Sequence, residues 1–148
     1  MRWSPAVTVA AVIRRHDCYL MVEERPDGEP VLNQPAGHLE YGETLLDAVQ
    51  REVLEETGRR FVPTALVGVY QWTLPGSQRT YLRFCFCGDV GEPLADQAID
   101  PAIIATHWLT RDAIATGPIA TRSPMVLRCI DDAERPLARG LEALYALG

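Results

Sequence analysis

The sequence predicts a single α/β domain in which a sheet packs between helices, and two observations lead to that prediction. The chain has 148 residues, of which 47% are hydrophobic and 23% charged, as is typical of one globular domain. Strand-like segments precede and follow one long helical pattern, and shorter helical segments end the chain. This order is typical of a layered sheet–helix architecture. We therefore expect residues 1–148 to form one domain.

Six segments carry the alternating or β-branched apolar residues that predict strands. A polar turn at 15–17 and loops at 25–30 and 73–77, both containing Pro and Gly, separate neighbouring strands. Pro35, followed by Ala36 and Gly37, is expected to end the third strand. In order, the predicted strands span 6–14, 18–24, 31–34, 61–72, 78–89 and 103–109.

One long helix and three shorter ones are expected. The long helix, 44–57, begins at Thr44 as N-cap, with Asp47 three residues later, and ends at Gly58, which suits a C-cap. Ser123–Pro124 begins another by placing proline in the first turn. The shorter helices are expected at 111–116, 123–134 and 137–147.

Composition excludes several classes of function. Twenty acidic residues against 14 basic ones give a net charge of -6, which argues against a nucleic acid partner because duplex binding needs a basic face. All the basic residues are arginine, so Schiff-base and P-loop lysine chemistry is excluded. The four cysteines form no C-x-x-C pair, so we expect buried thiols and no zinc ribbon.

The hydrophobic pattern favours a cytoplasmic protein without a membrane span. The longest apolar run, 6–13, is too short to cross a bilayer, and no signal peptide pattern precedes it. The oligomeric state stays open.

The long helix carries carboxylates where its apolar face continues. On a helical wheel, Glu52 and Glu56 fall in the stripe of Ala48 and Val49, and Glu55 falls on its edge. Like charges three and four residues apart repel, the C-terminal end of a helix disfavours anions, and burial adds a desolvation cost. A divalent cation would offset these costs, and oxygen ligands suit magnesium. The alternative is a solvated acidic helix end.

Residues 37–58 read GHLEYGETLLDAVQREVLEETG. This segment resembles the Nudix box, G-x5-E-x7-R-E-U-x-E-E-x-G-U, where U is aliphatic. The matching residues are Gly37, Glu43, Arg51, Glu52, Val53, Glu55, Glu56 and Gly58. Arg59 stands where the pattern ends on an aliphatic residue. Residues beyond the box, among them 33–40, 70–72 and 122–124, resemble the NudJ-type branch of Nudix phosphatases.

The resemblance implies a mixed sheet in an α/β/α sandwich and the hydrolysis of a diphosphate linked to an organic group, with Mg²⁺ or alternatively Mn²⁺ as cofactor. For the NudJ-type branch the implied small-molecule substrates are nucleoside tri- and diphosphates and the pyrimidine diphosphate intermediate of thiamine synthesis. A non-catalytic ligand sensor with the same fold is the alternative, and an RNA-end hydrolase is disfavoured by the acidic balance.

The resemblance also assigns roles to residues of the box. Glu52, Glu55 and Glu56, with the carbonyl of Gly37, are the expected metal ligands. Arg51 is expected to pair with Glu43 and to act with Glu52 and Glu55 as the catalytic set. Glu52 is the first choice for the general base, and Asp96 and Asp100 in a later loop are alternatives.

Substrate-binding candidates lie outside the metal site. Trp72 borders a Pro–Gly loop and can stack on a heterocycle. Arg83 is expected to point outward and meet a phosphate, while Gln34 and His38 flank the loop before the helix and can hydrogen-bond a base or phosphate. Further candidates are Trp3, for stacking, and Arg122 with Ser123–Pro124, as an anion site at a helix N-terminus.

Overall fold

The computed structural model describes residues 1–135 and 139–147. The strands are β1 (Ala6–Arg15), β2 (Cys18–Glu24), β3 (Val31–Asn33), β4 (Ala36–His38), β5 (Phe61–Thr73), β6 (Thr80–Val90), β7 (Ile103–Thr110) and β8 (Ala120–Thr121). The helices are α1 (Leu45–Thr57), α2 (Arg111–Thr116) and α3 (Met125–Ala133), followed by a 3-10 turn at Leu141–Ala143.

The strands form a mixed sheet, as the resemblance implies. The order is β5-β6-β1-β2-β3-β8, with β4 paired to β1 and β7 to β2. The pairs β1–β6 and β3–β8 are parallel, and the others are antiparallel. Since β1 and β2 pair at Arg14↔Tyr19 and Arg15↔Cys18, next to their turn, the sheet opens into two halves that share this corner.

Alternation along β1 divides the core into two layers. Val9, Ala11 and Ile13 belong to the cluster that includes α1, whereas Ala10 and Val12 belong to the cluster that includes α2 and α3. Successive side chains of a strand point to opposite faces, so helices cover both faces of the sheet. This is the expected α/β/α sandwich.

Most predicted elements agree with the structure to within a few residues, and β2 and α2 agree in full. The segment 35–37 was expected to be a break, but Ala36–His38 forms β4 because these residues pair with β1 from Thr8 to Ala10. The short strand β8 was not predicted.

The prediction of a helix over 137–147 is wrong for 139–147, and residues 137 and 138 lie outside the described part. Arg139 exchanges two backbone hydrogen bonds with Leu66 of β5. After Gly140, helical structure is limited to the 3-10 turn.

The four cysteines are free thiols. Cys85 and Cys129 are buried as predicted, whereas Cys18 and Cys87 are half-buried. None of the helices in residues 1–135 and 139–147 has the length and apolar character needed to span a bilayer.

Candidate active site

Two caps fix where α1 begins and ends. The Thr44 hydroxyl accepts a hydrogen bond from the Asp47 amide at 3.0 Å, and Gly58 ends the helix with a left-handed φ of 73°. Between these caps the helical periodicity places Glu52 and Glu56 on the face of α1 that packs against the sheet, where they are 8% and 6% exposed. Both carboxylates expected to interrupt the apolar stripe are therefore buried, and the solvated alternative does not hold for them.

Strand β4 lies against these two carboxylates. A Cβ added at Gly37 would overlap the Glu52 carboxylate, so any other residue there would displace that carboxylate from its present position. The neighbouring Ala36 amide donates a hydrogen bond to Glu56 Oε1 at 2.9 Å. The box glycine thus makes room for a buried acid, which explains its place in the motif.

Arg51 connects the loop before α1 with the acidic face of the helix. Its Nε and Nη2 donate to the two carboxylate oxygens of Glu43 at 3.0 and 2.7 Å. Its Nη1 donates to Glu52 at 2.7 Å and to Glu55 at 3.2 Å, and Nη2 also donates to the His38 carbonyl at 3.0 Å. The expected pairing of Arg51 with Glu43 is present as a bidentate salt bridge.

Burial and like charge disturb the ionisation of the acids. Burial, together with the charges of Glu52, Glu24 and Asp100, raises the pKa of Glu56 to about 9, although the hydrogen bond from the Ala36 amide opposes the shift. Burial also raises the pKa of Glu52 from its ordinary value, although Arg51 opposes the shift. Hydrogen bonding to Arg51 lowers the pKa of Glu43. The positive charge that the protein places near Glu52 and Glu56 is therefore too small to stabilise both of them in the ionised form.

The donor set suits a hard divalent cation, because it consists of carboxylate oxygens with a surplus of negative charge. Among the described residues, however, no three Asp, Glu, His or Cys side chains converge as a metal-binding group. Arg51 holds Glu52 and Glu55, and the Ala36 amide holds Glu56. Glu55 has a side chain 46% exposed and lies at the edge of the cluster. Binding a cation would require these side chains to change partners.

The loop from 91 to 102 packs on the C-terminal end of α1. The Asp100 amide donates to the Glu55 carbonyl at 2.8 Å, and the Leu94 amide donates to the Gly58 carbonyl at 2.8 Å. The charge of Asp100 is also among the causes that raise the pKa of Glu52 and Glu56, after burial. Asp96 is exposed, with a φ of 65°, and its charge is not among the causes that shift the pKa of Glu52 or Glu56.

Sequence reasoning missed Glu24, whose charge also acts on Glu56. Glu24 accepts a hydrogen bond from Arg122 Nη1 at 2.8 Å, so the two flank the site together. The only sequence signal was a carboxylate at the end of a predicted strand.

A cavity of about 220 Å³ adjoins β4 on the face of the sheet covered by α3. Five of the substrate-binding candidates from the sequence line it: His38, Trp72, Arg83, Arg122 and Ser123. Tyr81 also lines it and stacks on Trp72, with ring centroids 6.0 Å apart. Trp3 lies elsewhere, where its indole donates to the Gln78 carbonyl at 3.2 Å.

Arg83 is buried rather than pointing outward. It is 4% exposed and donates to Gln34 Oε1 at 2.9 Å and to Asn33 Oδ1 at 3.0 Å. Gln34 does not line the cavity, and its side-chain amide nitrogen Nε2 donates to the Val126 carbonyl at 2.7 Å. Gln34 therefore supports Arg83, and its side chain is not free to meet a ligand.

Arg59, the departure from the box, lies over the ring of Trp108, with its guanidinium carbon 5.4 Å from the ring centroid. It also donates to the Gly91 carbonyl at 2.8 Å. Its aliphatic stem and charge thus cover an aromatic surface that a plain aliphatic residue would cover through contact alone.

Comparison with known proteins agrees with the geometry. The NUDIX domain model matches residues 3–128. Phosphatase NudJ of Escherichia coli K12 is 36% identical over 136 residues, covering 90% of this chain and 88% of that protein. A NUDIX hydrolase structure from Nitrosomonas europaea superposes with a TM-score of 0.92 at 45% identity, covering 97% of this chain and 98% of that one. The NUDIX domain of Shewanella oneidensis NrtR, complexed with ADP ribose, shares the fold with a TM-score of 0.71 at 16% identity, covering 89% and 88% of the two chains.

Proposed function

The chain belongs to the Nudix family and is a hydrolase of phosphorus-containing acid anhydrides, and from this premise we propose a substrate and a cofactor. The substrate is a nucleoside di- or triphosphate, or a similar organic diphosphate, whose phosphoanhydride bond the protein cleaves. The cofactor is Mg²⁺, with Mn²⁺ as a substitute. The observation that carries the proposal is the pair of buried carboxylates, Glu52 and Glu56, on one face of α1. They lie against β4, the strand that also lines the cavity. Similarity to phosphatase NudJ supports the choice of substrate class. The expected cytoplasmic location and single domain remain predictions.

Glu52, Glu55 and Glu56, with the Gly37 carbonyl, are the residues that would hold the cation. A bound divalent cation supplies charge that phosphate oxygens need during cleavage and makes a coordinated water more acidic. The protein's part is to keep these acids together and away from bulk water. Arg51 does this by tying the loop at Glu43 to the helix at Glu52.

Glu52 is our choice for the general base. Its carboxylate is buried against the Gly37 backbone and belongs to the proposed ligand set, so it would lie beside a water coordinated to the cation, as a general base must. Asp100 is the second choice because its charge acts on Glu52, whereas Asp96 loses support because of its exposure. The non-catalytic sensor is disfavoured because Arg51 and the box carboxylates are all retained, although these acids destabilise the fold when uncompensated.

A substrate panel with and without Mg²⁺ tests the proposal. It should contain nucleoside di- and triphosphates, ADP-sugars, dinucleoside polyphosphates and the thiamine-pathway pyrimidine diphosphate. Release of phosphate or of pyrophosphate identifies the cleaved bond. We expect Mg²⁺-dependent turnover of at least one class.

Charge-neutral variants locate the activity. Glu52→Gln and Glu56→Gln should each reduce turnover by at least about 100-fold, whereas Glu92→Gln, at an exposed carboxylate, should not change it. Unchanged turnover in both box variants would remove the proposed metal site.

A further inference from the structure

Arg83 is a buried cation whose described partners are all neutral. Its guanidinium donates to the amide oxygens of Asn33 and Gln34 and lies 4.0 Å from Cys129 Sγ. Within residues 1–135 and 139–147 no carboxylate pairs with it, and its buried Nε has no hydrogen-bond partner. Burying an uncompensated charge is costly, so the fold keeps an arginine here at the expense of stability.

The strand register places Arg83 away from the acidic cluster. Thr8 of β1 pairs with His38 of β4 on one side and with Arg83 of β6 on the other. Neighbouring strands are about 4.8 Å apart, so the backbones of His38 and Arg83 are about 10 Å apart.

Arg83 and the buried carboxylate of Glu52 also lie on opposite faces of the sheet. Residues in register share a face, so Thr8 and Arg83 lie on the face of Ala10, which packs toward α3. Gly37, one residue from His38, turns toward Glu52 on the α1 face. The edge of β4, which pairs with β1, is therefore where the two faces meet.

A substrate that places its diphosphate beside Glu52 and Glu56 would extend its organic group around β4 into the 220 Å³ cavity. This volume lies below the ~300–1,000 Å³ common for ligand pockets, so it fits a compact group. The stacked pair Trp72 and Tyr81 contributes aromatic surface to the cavity wall, which suits a planar ring.

We propose that Arg83 binds the organic group of the substrate rather than its diphosphate, by donating to a hydrogen-bond acceptor on a planar ring held against Trp72 and Tyr81. Asn33 and Gln34 are positioning residues that aim the guanidinium. Arginine keeps its charge when buried, so it offers fixed donors to a ring carbonyl or ring nitrogen. This inference rests on the proposed function, because it assumes that the diphosphate lies at the box.

Binding of uncleavable analogues tests the inference without relying on turnover. The probes are methylene-bridged uridine diphosphate, whose ring carries carbonyl acceptors, and the matching ribose 5-diphosphate analogue without a base. Calorimetry with Mg²⁺ gives the ratio of their dissociation constants. We expect the wild-type protein to bind the uridine analogue at least about tenfold more tightly. Arg83→Gln should lower this ratio at least about threefold by weakening the uridine analogue alone, and the ratio that remains reflects stacking on Trp72 and Tyr81.

Two variants guard the interpretation. Arg60→Gln, at an exposed arginine outside the cavity, should keep the wild-type ratio. Asn33→Ala leaves Arg83 in place but removes one acceptor that aims it, so it should reduce the ratio partly, and it serves as the test if Arg83→Gln does not fold.

Three results would overturn the inference: a wild-type ratio near one, an unchanged ratio in Arg83→Gln or its substitute Asn33→Ala, or equal weakening of both analogues. Failure of the proposed function has a different signature, since the wild-type protein would then hydrolyse none of the diphosphates in the substrate panel.

Discussion

Gly37 of β4 and Glu52 of α1 lie in such close contact that the carboxylate occupies the space a Cβ would need. The two residues are fifteen positions apart in sequence. The missing side chain of Gly37 leaves the space in which the carboxylate of Glu52 is buried. The contact also places the Gly37 backbone beside the acid, which is the arrangement needed if both contribute oxygen ligands.

Gly37→Ala is expected to displace Glu52 and to reduce hydrolysis by at least about tenfold, because small misplacements at a reacting centre are costly. Steady-state kinetics with Mg²⁺ measures the loss. Gly91→Ala is the matched control, since a Cβ there meets open space, and it should keep wild-type activity. Full activity in Gly37→Ala would contradict the importance of the contact.

Arg51→Gln is expected to lower the free energy of unfolding by about 1–3 kcal/mol, because it leaves Glu43 and Glu52 without their charged donor. Urea denaturation measures this change. Arg51→Lys should restore little, since one ammonium cannot reach both Glu43 oxygens and Glu52 together. A lysine variant as stable as the wild type would show that charge alone suffices, and Arg60→Gln should leave stability unchanged.

Local signals made α1 and its acidic face predictable. The Thr44 cap and the Gly58 terminus fix the helical phase, and that phase alone indicates that Glu52 and Glu56 lie among apolar residues. The pairing of Arg51 with Glu43 was implied by the family pattern, and the structure adds that the same guanidinium also holds Glu52 and Glu55.

The rest depends on contacts between distant parts of the chain. Arg83 was expected to face outward because strand alternation does not reveal which face of a sheet a helix covers. Its partners Asn33 and Gln34 are about fifty residues away, and no pattern within β6 encodes them. Strand β4 was missed for a similar reason, since Ala36–His38 has a weak strand pattern and is held by pairing with β1.

The metal-free protein is expected to lose stability as pH rises from about 4.5 to about 9. Burial raises the pKa of Glu56 from 4.5 to about 9, so in this range the folded state binds more protons than the unfolded state, and deprotonation favours unfolding. Glu43, whose pKa is lowered, changes its contribution below this range.

Thermal melts in a chelator measure this dependence. The Tm should fall by several degrees between pH 6 and pH 9, at about 2–4 °C for each kcal/mol. Glu56→Gln should reduce the slope because its side chain stays neutral, while Glu52, whose pKa is also raised by burial, keeps part of the dependence. Glu92→Gln should keep the wild-type slope. Equal slopes in Glu56→Gln and the wild type would assign the dependence to another group.

Arg59→Ala is expected to destabilise the protein by about 0.5–2 kcal/mol, because it removes the contact with Trp108 and the hydrogen bond to the Gly91 carbonyl. Hydrolysis should stay within about twofold of the wild type, since none of the described hydrogen bonds of Arg59 joins it to a carboxylate of the box. A double-mutant cycle with Trp108→Leu, followed by urea denaturation, isolates the Arg59–Trp108 coupling from the hydrogen bond. A coupling of zero would mean that Arg59 acts through Gly91 alone, and a large loss of activity would mean that this position also holds the end of α1 in place for the acids.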